Sequence, residues 1–209
     1  MTKILIPSET SSGERRVSAT PEAVKKLKSL GCNVYIESSA GKLSGFSDLS
    51  YEESGGTIIS NLDQQIWGEA DLIFCVQTPS EDNLIKLKKG AVLLGLLDPY
   101  GNKELLRIIN CKKISALSLE LLPRISRAQS SDVLSSQANI AGYKAVLLAA
   151  SELDRYFPML MTAAGTVQPA KVVVLGGGVA GLQAVATAKR LGAIVFVSDI
   201  RPAVKEQVE

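Results

Sequence analysis

The 209-residue chain contains no histidine, and this absence removes one kind of chemistry before any motif is considered. Histidine is the side chain that most often serves as a general acid or base near neutral pH, and it is a common zinc ligand. A histidine-dependent catalytic mechanism is therefore excluded. A zinc site is disfavoured, and we expect no metal on this chain.

Cysteines are few and scattered, which argues against a disulfide framework. Cys32, Cys75 and Cys111 form no C-x-x-C pair, and each lies in or beside an apolar run. We therefore expect three buried free thiols rather than disulfides or metal ligands.

The chain has neither a charge excess nor a long apolar run. Its net charge of +2 gives no electrostatic reason to expect nucleic acid as a partner. No apolar run reaches the ~18 residues of a membrane-spanning helix, and residues 1–3 lead directly into a strand pattern. We expect no membrane span and no signal peptide. With 46% hydrophobic residues, an α/β protein of one or two domains in the cytoplasm is expected.

Apolar runs alternate with helical patterns through the first half of the chain. Strands are expected at 4–7, 33–37, 72–76, 91–97 and 114–120, and helices at 21–30, 51–54, 81–88 and 103–109. Such alternation predicts a parallel, doubly wound sheet.

A long helical pattern at 132–157 follows a polar loop at 124–132, with Ser131 or Asp132 as the expected N-cap. The predicted fold is α/β, with two doubly wound, Rossmann-like parallel-sheet domains joined by this helix and the second domain incomplete. The predicted segments are a catalytic-type domain at 1–132, a linking helix and connector at 133–165, and the start of a dinucleotide-binding domain at 166–209.

The stretch 171–199 carries the most informative motif from the residues alone. An apolar run leads into Gly176, Gly178 and Gly181, spaced G-x-G-x-x-G, and a helical pattern and a second apolar run then lead to Asp199. In a dinucleotide site, glycines let the backbone approach a pyrophosphate and the helix N-terminus donates N–H groups. The acid at the tip of the second strand binds the ribose hydroxyls. This stretch predicts dinucleotide binding.

The identity of the acid also predicts which dinucleotide binds. The carboxylate of Asp199 would repel the 2′-phosphate of NADP(H), so it favours NAD(H). Arg201 lies close enough to weaken this preference, but we still expect NAD(H).

The loop at 124–132 follows a strand and precedes a helix N-terminus, where α/β folds commonly place ligand groups. It contains Arg124, Arg127, Gln129, Asp132 and three serines. From the residues alone, it is either a ligand-binding loop or a solvated loop with a helix cap.

Three segments resemble the NAD(H)-binding α subunit of proton-translocating NAD(P) transhydrogenase. They read GERRVSATPEAVKKL, LELLPRISRAQSSDVLSSQANIAGYKAV and FPMLMTAAGTVQPAKVVVLGGGVAGLQAVATAKRLGA, and the resemblance covers essentially the whole chain. In that family a mobile Arg–Gln–Asp loop shapes the nicotinamide site, and the matching residues are Arg124, Gln129 and Asp132. Further cofactor contacts implied by the resemblance are Ile125, Ser126, Arg127, Ser135, Val179, Ile200 and Arg201.

The resemblance implies hydride transfer between NADH and NADP⁺, coupled by other subunits to proton translocation. Direct transfer between nicotinamides needs positioning rather than an acid–base pair, which suits a chain without histidine. We expect Gln129 and Asp132 to bond the nicotinamide ribose or carboxamide. Arg124 is expected at the diphosphate or nicotinamide, with an added hydroxyl contact from Ser135.

The implied partners are a second copy in a homodimer and the NADP(H)-binding and membrane-spanning subunits. The implied location is peripheral to the inner membrane, on the cytoplasmic side or on the matrix side in mitochondria.

Two alternatives remain open from the sequence. Alanine dehydrogenase has a similar two-domain layout, and Arg16 matches the arginine that grips its substrate carboxylate. Gln77 stands where that family has a substrate lysine, however, and its histidine acid–base is absent. The second alternative is a truncated, non-catalytic NAD-binding module. It is favoured by the two-strand dinucleotide domain and by the final VKEQVE, which carries no helix-capping signal.

Overall fold

The computed structural model describes residues 1–60, 65–202 and 204–208, which form two compact units. The first unit spans Met1–Ser131, and the second begins at Asp132. Each unit has its own apolar core. Among the described residues, no helix is long and apolar enough to cross a membrane.

A six-stranded sheet forms the centre of the first unit. Its strands are β1 (Lys3–Ile6), β2 (Asn33–Glu37), β3 (Thr57–Ile59), β4 (Leu72–Gln77), β5 (Val92–Leu96) and β6 (Ser115–Ser118). The helices are α1 (Pro21–Ser29), α2 (Asp48–Glu53), α3 (Gln65–Glu69), α4 (Glu81–Leu84) and α5 (Lys103–Lys112). The strand order is β3-β2-β1-β4-β5-β6, with parallel pairing throughout. The winding reverses between β1 and β4, as in a doubly wound sheet.

Burial on both faces explains why the central strands are continuous apolar runs. Successive residues of a strand point to opposite faces, so Ile4 and Ile6 pack in the cluster that includes Tyr51, while Leu5 packs in the cluster with Trp67. All five side chains are at most 1% exposed. A polar residue at any of these three strand positions would therefore lose its contact with water.

Local signals fix the start and end of α1. The Thr20 side chain accepts a hydrogen bond from the Ala23 N–H, and Pro21 occupies the first helical position. Gly31, just beyond the helix, has a φ of +82°, the left-handed conformation that commonly ends helices.

The second unit is built around two parallel strands, β9 and β10. In chain order its elements are α6 (Val133–Glu152), β7 (Leu160–Thr162), β8 (Gly165–Val167), β9 (Lys171–Leu175), α7 (Val179–Arg190), β10 (Ile194–Ser198) and α8 (Val204–Val208). Strands β7 and β8 form an antiparallel hairpin. The inner faces of β9 and β10 pack with Val146 of α6 and with Ala184 and Ala188 of α7.

The predicted Rossmann-like architecture, with a partial second domain, is confirmed. Strand β3 and the β7–β8 hairpin were not predicted, because three-residue strands are too short to show an alternating pattern. Helix α6 ends at Glu152 instead of residue 157, because Phe157 is buried and its carbonyl accepts the Ala170 N–H at 3.0 Å. Helix α4 likewise ends at Leu84 instead of residue 88.

The three cysteines are free, as expected, but the expectation that all are buried is wrong for Cys111. The buried stripe of α5 runs through Leu105, Ile108 and Ile109, and Cys111 lies outside this stripe. Among the described residues, no three His, Cys, Asp or Glu side chains gather where they could hold a metal ion.

Candidate dinucleotide site

Three glycines join β9 to α7, and each meets a different physical requirement. Gly176 has a φ of +95°, which L side chains rarely adopt. A Cβ on Gly181 would lie 1.8 Å from the Gly176 carbonyl oxygen, so the helix packs here only without a side chain. A Cβ on Gly178 would meet no described atom within 4 Å. The fold itself does not require glycine at position 178, and the open space there suits the approach of a pyrophosphate.

The N-terminus of α7 presents free donors to this open space. No side chain in the described chain caps the helix at Gly178, the N-cap residue, and the first turn carries no acid. The basic residues Lys189 and Arg190 lie in the last turn, where they complement the helix dipole. The N–H groups and positive end of this 12-residue helix are thus available to an anion.

Asp199 lies directly after β10, with its side chain 8% exposed. Its Oδ2 accepts from the Gly177 N–H at 2.7 Å and from Nη2 of Arg201 at 2.9 Å. Its Oδ1 accepts from the main-chain N–H of Arg201 at 2.8 Å and from Nε at 3.0 Å. The Arg201 guanidinium, followed by these main-chain donors, holds the pKa of the Asp199 carboxyl well below its ordinary value. Asp199 is therefore a carboxylate at neutral pH, as a ribose-binding acid must be.

Two predicted apolar contacts lie on the surface beside these groups. Ile200 is almost fully exposed, and Val179 is 44% exposed at the start of α7. The second unit thus brings together Gly176, Gly178, Val179, Gly181 and the segment 199–201, as the motif predicts.

The remaining predicted loop residues belong to the first unit. Arg124, Ile125, Ser126, Arg127 and Gln129 are all exposed, in a loop that includes a 3₁₀ turn. The turn is held by main-chain bonds, including Ala128 N–H to the Ile125 carbonyl at 2.9 Å. The loop has local order, and its side chains face solvent.

Asp132 is the N-cap of α6, as one of the two predicted capping residues. Its Oδ1 accepts from the Ser135 N–H at 2.9 Å, and its Oδ2 accepts from the Ser135 hydroxyl at 2.6 Å. The structure therefore joins two of the predicted site residues to each other. Asp132 fixes both the start of the helix and the direction of the serine hydroxyl.

Gly177 and Gly142 contribute to this unit and were missed at the sequence level. Gly177 donates to Asp199, and a Cβ on it would lie 2.2 Å from Cγ1 of Val204. A Cβ on Gly142 of α6 would lie 2.0 Å from the Ala180 carbonyl oxygen of α7. The available signals were the uninterrupted Gly176–Gly178 run and an isolated glycine inside a helix.

The arginine that would grip a substrate carboxylate in alanine dehydrogenase is already paired in this chain. Nε and Nη2 of Arg16 donate to the two carboxylate oxygens of Glu14 at 2.8 and 2.6 Å. The Gln77 side-chain amide donates to the same carboxylate at 3.1 Å. These bonds, chiefly those from Arg16, lower the pKa of Glu14 to about 2.

Comparison with known proteins agrees with this geometry. The fold and the glycine turn define a Rossmann-like nucleotide-binding protein. The family models "Alanine dehydrogenase/PNT, N-terminal domain" and "Alanine dehydrogenase/PNT, C-terminal domain" match residues 5–141 and 145–209. The chain belongs to the alanine dehydrogenase/PNT family.

Within this family, transhydrogenase sequences are more similar to the chain than alanine dehydrogenase. The chain is 50% identical to an NAD(P) transhydrogenase subunit alpha of Rhodospirillum rubrum, over 99% of the chain and 55% of that relative. A transhydrogenase crystal structure from Sinorhizobium meliloti is 49% identical with a TM-score of 0.93, covering 99% of this chain and 59% of that one. An L-alanine dehydrogenase structure is 28% identical with a TM-score of 0.86, covering 100% and 57%. The chain spans about half the length of the curated relative it matches.

Proposed function

We propose that this chain is the NAD(H)-binding component of a proton-translocating NAD(P) transhydrogenase. The observation that carries the proposal is the glycine turn, in which Gly178 leaves the backbone open beside the free N-terminus of α7. The similarity to transhydrogenases from two bacteria supports the reaction class. Bound NAD(H) supplies the hydride chemistry at its nicotinamide ring, and the chain supplies binding and orientation.

The second unit supplies the groups for the adenosine and pyrophosphate end. The main chain at Gly176, Gly178 and Val179 faces the pyrophosphate, with the α7 dipole favouring its negative charge. The Asp199 carboxylate accepts from the ribose hydroxyls, and Ile200 and Arg201 border that ribose. A carboxylate at this position favours NAD(H) over NADP(H).

The loop and the start of α6 supply the groups for the nicotinamide end. We assign Gln129 and Asp132 to the nicotinamide ribose or carboxamide and Arg124 to the diphosphate or nicotinamide. Ile125, Ser126, Arg127 and Ser135 complete the contacts. Exposed polar side chains on an ordered turn support these roles. In the assembled enzyme, Gln129→Asn should slow hydride transfer between NADH and NADP⁺, and an unchanged rate would refute the role of Gln129.

The remaining components belong to partner subunits in this proposal. NADP(H) binds a partner subunit or domain, and membrane-spanning subunits carry the proton. The chain forms a homodimer and lies peripheral to the inner membrane, on the cytoplasmic or matrix side. The transhydrogenase subunit similarity supports the existence of such partners.

An amino-acid dehydrogenase is the weaker candidate. The Glu14 carboxylate engages Arg16 through two bonds, and a neutral amide stands at Gln77. A substrate carboxylate would have to compete with Glu14 for the guanidinium, and the chain has no histidine to move a proton. Alanine-dependent production of NADH would reverse this ranking.

Two glycine variants test the proposed binding site. Gly178→Ala should weaken NADH binding at least about tenfold, because its methyl group enters the space reserved for the pyrophosphate. Its free energy of unfolding should change by no more than about 1 kcal/mol, since the methyl meets no described atom.

Gly181→Ala is the matched comparison, because its Cβ would collide with the Gly176 carbonyl oxygen. It should destabilise the second unit by about 2 kcal/mol or more, measured by urea denaturation. Undiminished NADH affinity in Gly178→Ala would rule out the proposed pyrophosphate position.

A further inference from the structure

The acceptor capacity of the Asp199 carboxylate is filled by hydrogen bonds within the protein. Oδ1 receives the main-chain N–H and Nε of Arg201, and Oδ2 receives Nη2 of Arg201 and the Gly177 N–H, all at 2.7 to 3.0 Å. A carboxylate offers about four lone-pair positions. In this arrangement none is left for the two hydroxyls of an adenosine ribose.

The four donors differ in how easily they can be replaced. The N–H groups of Gly177 and Arg201 belong to the main chain of the two turns that form the site, so removing them would rebuild those turns. The Arg201 guanidinium, by contrast, ends a flexible side chain that is 59% exposed. An exposed ion pair is weak, so this side chain can leave the carboxylate at small cost. Its departure frees one acceptor position on each oxygen, matching the two hydroxyls of a ribose.

We propose that the Arg201 side chain is a displaceable counter-ion that occupies the ribose-binding positions of Asp199 and thereby sets the selectivity between NAD(H) and NADP(H). This inference rests on the proposed NAD(H) function of the same site. In the free protein, Arg201 competes with the ribose hydroxyls for the carboxylate. It therefore lowers the affinity for dinucleotides that carry a free 2′-hydroxyl.

The same side chain changes how a 2′-phosphate is received. A lone carboxylate at this position repels a phosphate, whereas a carboxylate paired with a guanidinium presents little net charge. Once displaced, the guanidinium remains within reach of the ribose and can bind a phosphate through two parallel N–H donors. Arg201 thus narrows the discrimination that Asp199 alone would impose.

ADP-ribose and 2′-phospho-ADP-ribose are suitable probes, because they share the adenosine end and differ in the 2′-phosphate. We would titrate both by calorimetry into the chain, Arg201→Ala, Arg201→Gln and Arg190→Ala at one ionic strength. Arg190 is exposed in the last turn of α7, so its variant matches the charge change at the opposite end of that helix.

Arg201→Ala and Arg201→Gln should bind ADP-ribose about twofold to fivefold more tightly, the change expected when a competing exposed ion pair is removed. Both should bind 2′-phospho-ADP-ribose about tenfold more weakly, because a charge-assisted bond to the phosphate is lost. Arg190→Ala should leave the ratio of the two affinities unchanged. In a ¹H–¹⁵N spectrum, the Arg201 Nε–H resonance should shift when ADP-ribose saturates the chain.

Weaker ADP-ribose binding in both Arg201 variants, or an unchanged affinity ratio, would overturn the inference and leave the proposed function standing. If neither the chain nor any variant bound either probe, the proposed function itself would fail, and the inference with it. A folded Arg201→Gln with wild-type thermal stability separates these outcomes from misfolding.

Discussion

Asp199 combines a structural role with a binding role in one carboxylate. It ties the glycine turn to the end of β10 through the Gly177 N–H, and it holds the Arg201 side chain. Replacement by Asn would keep the shape of the side chain but remove the charge that organises these donors. The residue that recognises the ribose is thus also one that positions the turn facing the pyrophosphate.

The low pKa of Asp199 predicts a flat pH profile for binding. A carboxyl whose pKa is lowered by folding stabilises the folded state above its unfolded pKa, and this contribution is lost as the pH falls through the lowered pKa. Asp199 consequently stays ionised well below neutral pH, and the chain has no histidine to titrate. The dissociation constant of NADH should therefore vary less than about twofold between about pH 5.5 and pH 8.

Calorimetric titrations at fixed ionic strength would check this profile. An inflection near neutral pH would show that a group other than Asp199 controls binding. Asp199→Asn serves as the control, because it should weaken binding across the whole range.

Residue identity alone predicted the glycine spacing and the acid at the strand tip, because both follow from the geometry of a strand–turn–helix unit. It did not predict that Arg201 places three donors on Asp199. Nor did it predict the Arg16–Glu14–Gln77 network, which joins residues 63 positions apart. Such contacts depend on side-chain directions that only the folded turn determines.

Helices α6 and α7 pack closely because Gly142 has no side chain. A Cβ at this position would lie 2.0 Å from the Ala180 carbonyl oxygen, in the first turn of α7. The packing of α6 against α7 therefore bears directly on the helix whose N-terminus faces the pyrophosphate.

Gly142→Ala tests this packing through the sign of its effect. Helix propensity alone would stabilise α6 by about 1 kcal/mol when alanine replaces glycine. The collision with Ala180 should outweigh this gain, so we expect a net loss of about 1–3 kcal/mol in the free energy of unfolding. Urea denaturation followed by circular dichroism would measure it, and a stabilised variant would show that the helices can separate without cost.

At the scale of elements, long periodic segments were predictable and short ones were not. The central strands and α1 carried complete signals, including a capping residue and a terminal glycine. Hairpin β7–β8 depends on a turn at Gly165, whose φ is +123°, and on two strands of three residues each. The predicted division of the chain at 132 and 165 stays a prediction.

At the scale of the whole molecule, the sheet of the second unit exposes one apolar face. Val173 and Phe196 are paired in register and are 63% and 51% exposed, with Ile194 and Leu175 on the same face. Contiguous apolar surface of this kind promotes association.

Phe196→Lys should reduce concentration-dependent self-association of the chain, because it places a charge in the centre of this face. Tyr100→Lys is the matched control, since Tyr100 is 83% exposed in the first unit. Sedimentation velocity over a range of concentrations would compare the two variants. Equal self-association in both would show that the β9–β10 face does not drive it.

The second unit is proposed to bind NAD(H) through its glycine turn and Asp199, and the whole account depends on this binding. Titration of the chain with NADH by calorimetry, with NADPH in parallel, tests it most directly. We predict NADH binding with a dissociation constant in the micromolar to sub-millimolar range and weaker binding of NADPH. Failure to bind either dinucleotide, or tighter binding of NADPH, would contradict the proposal.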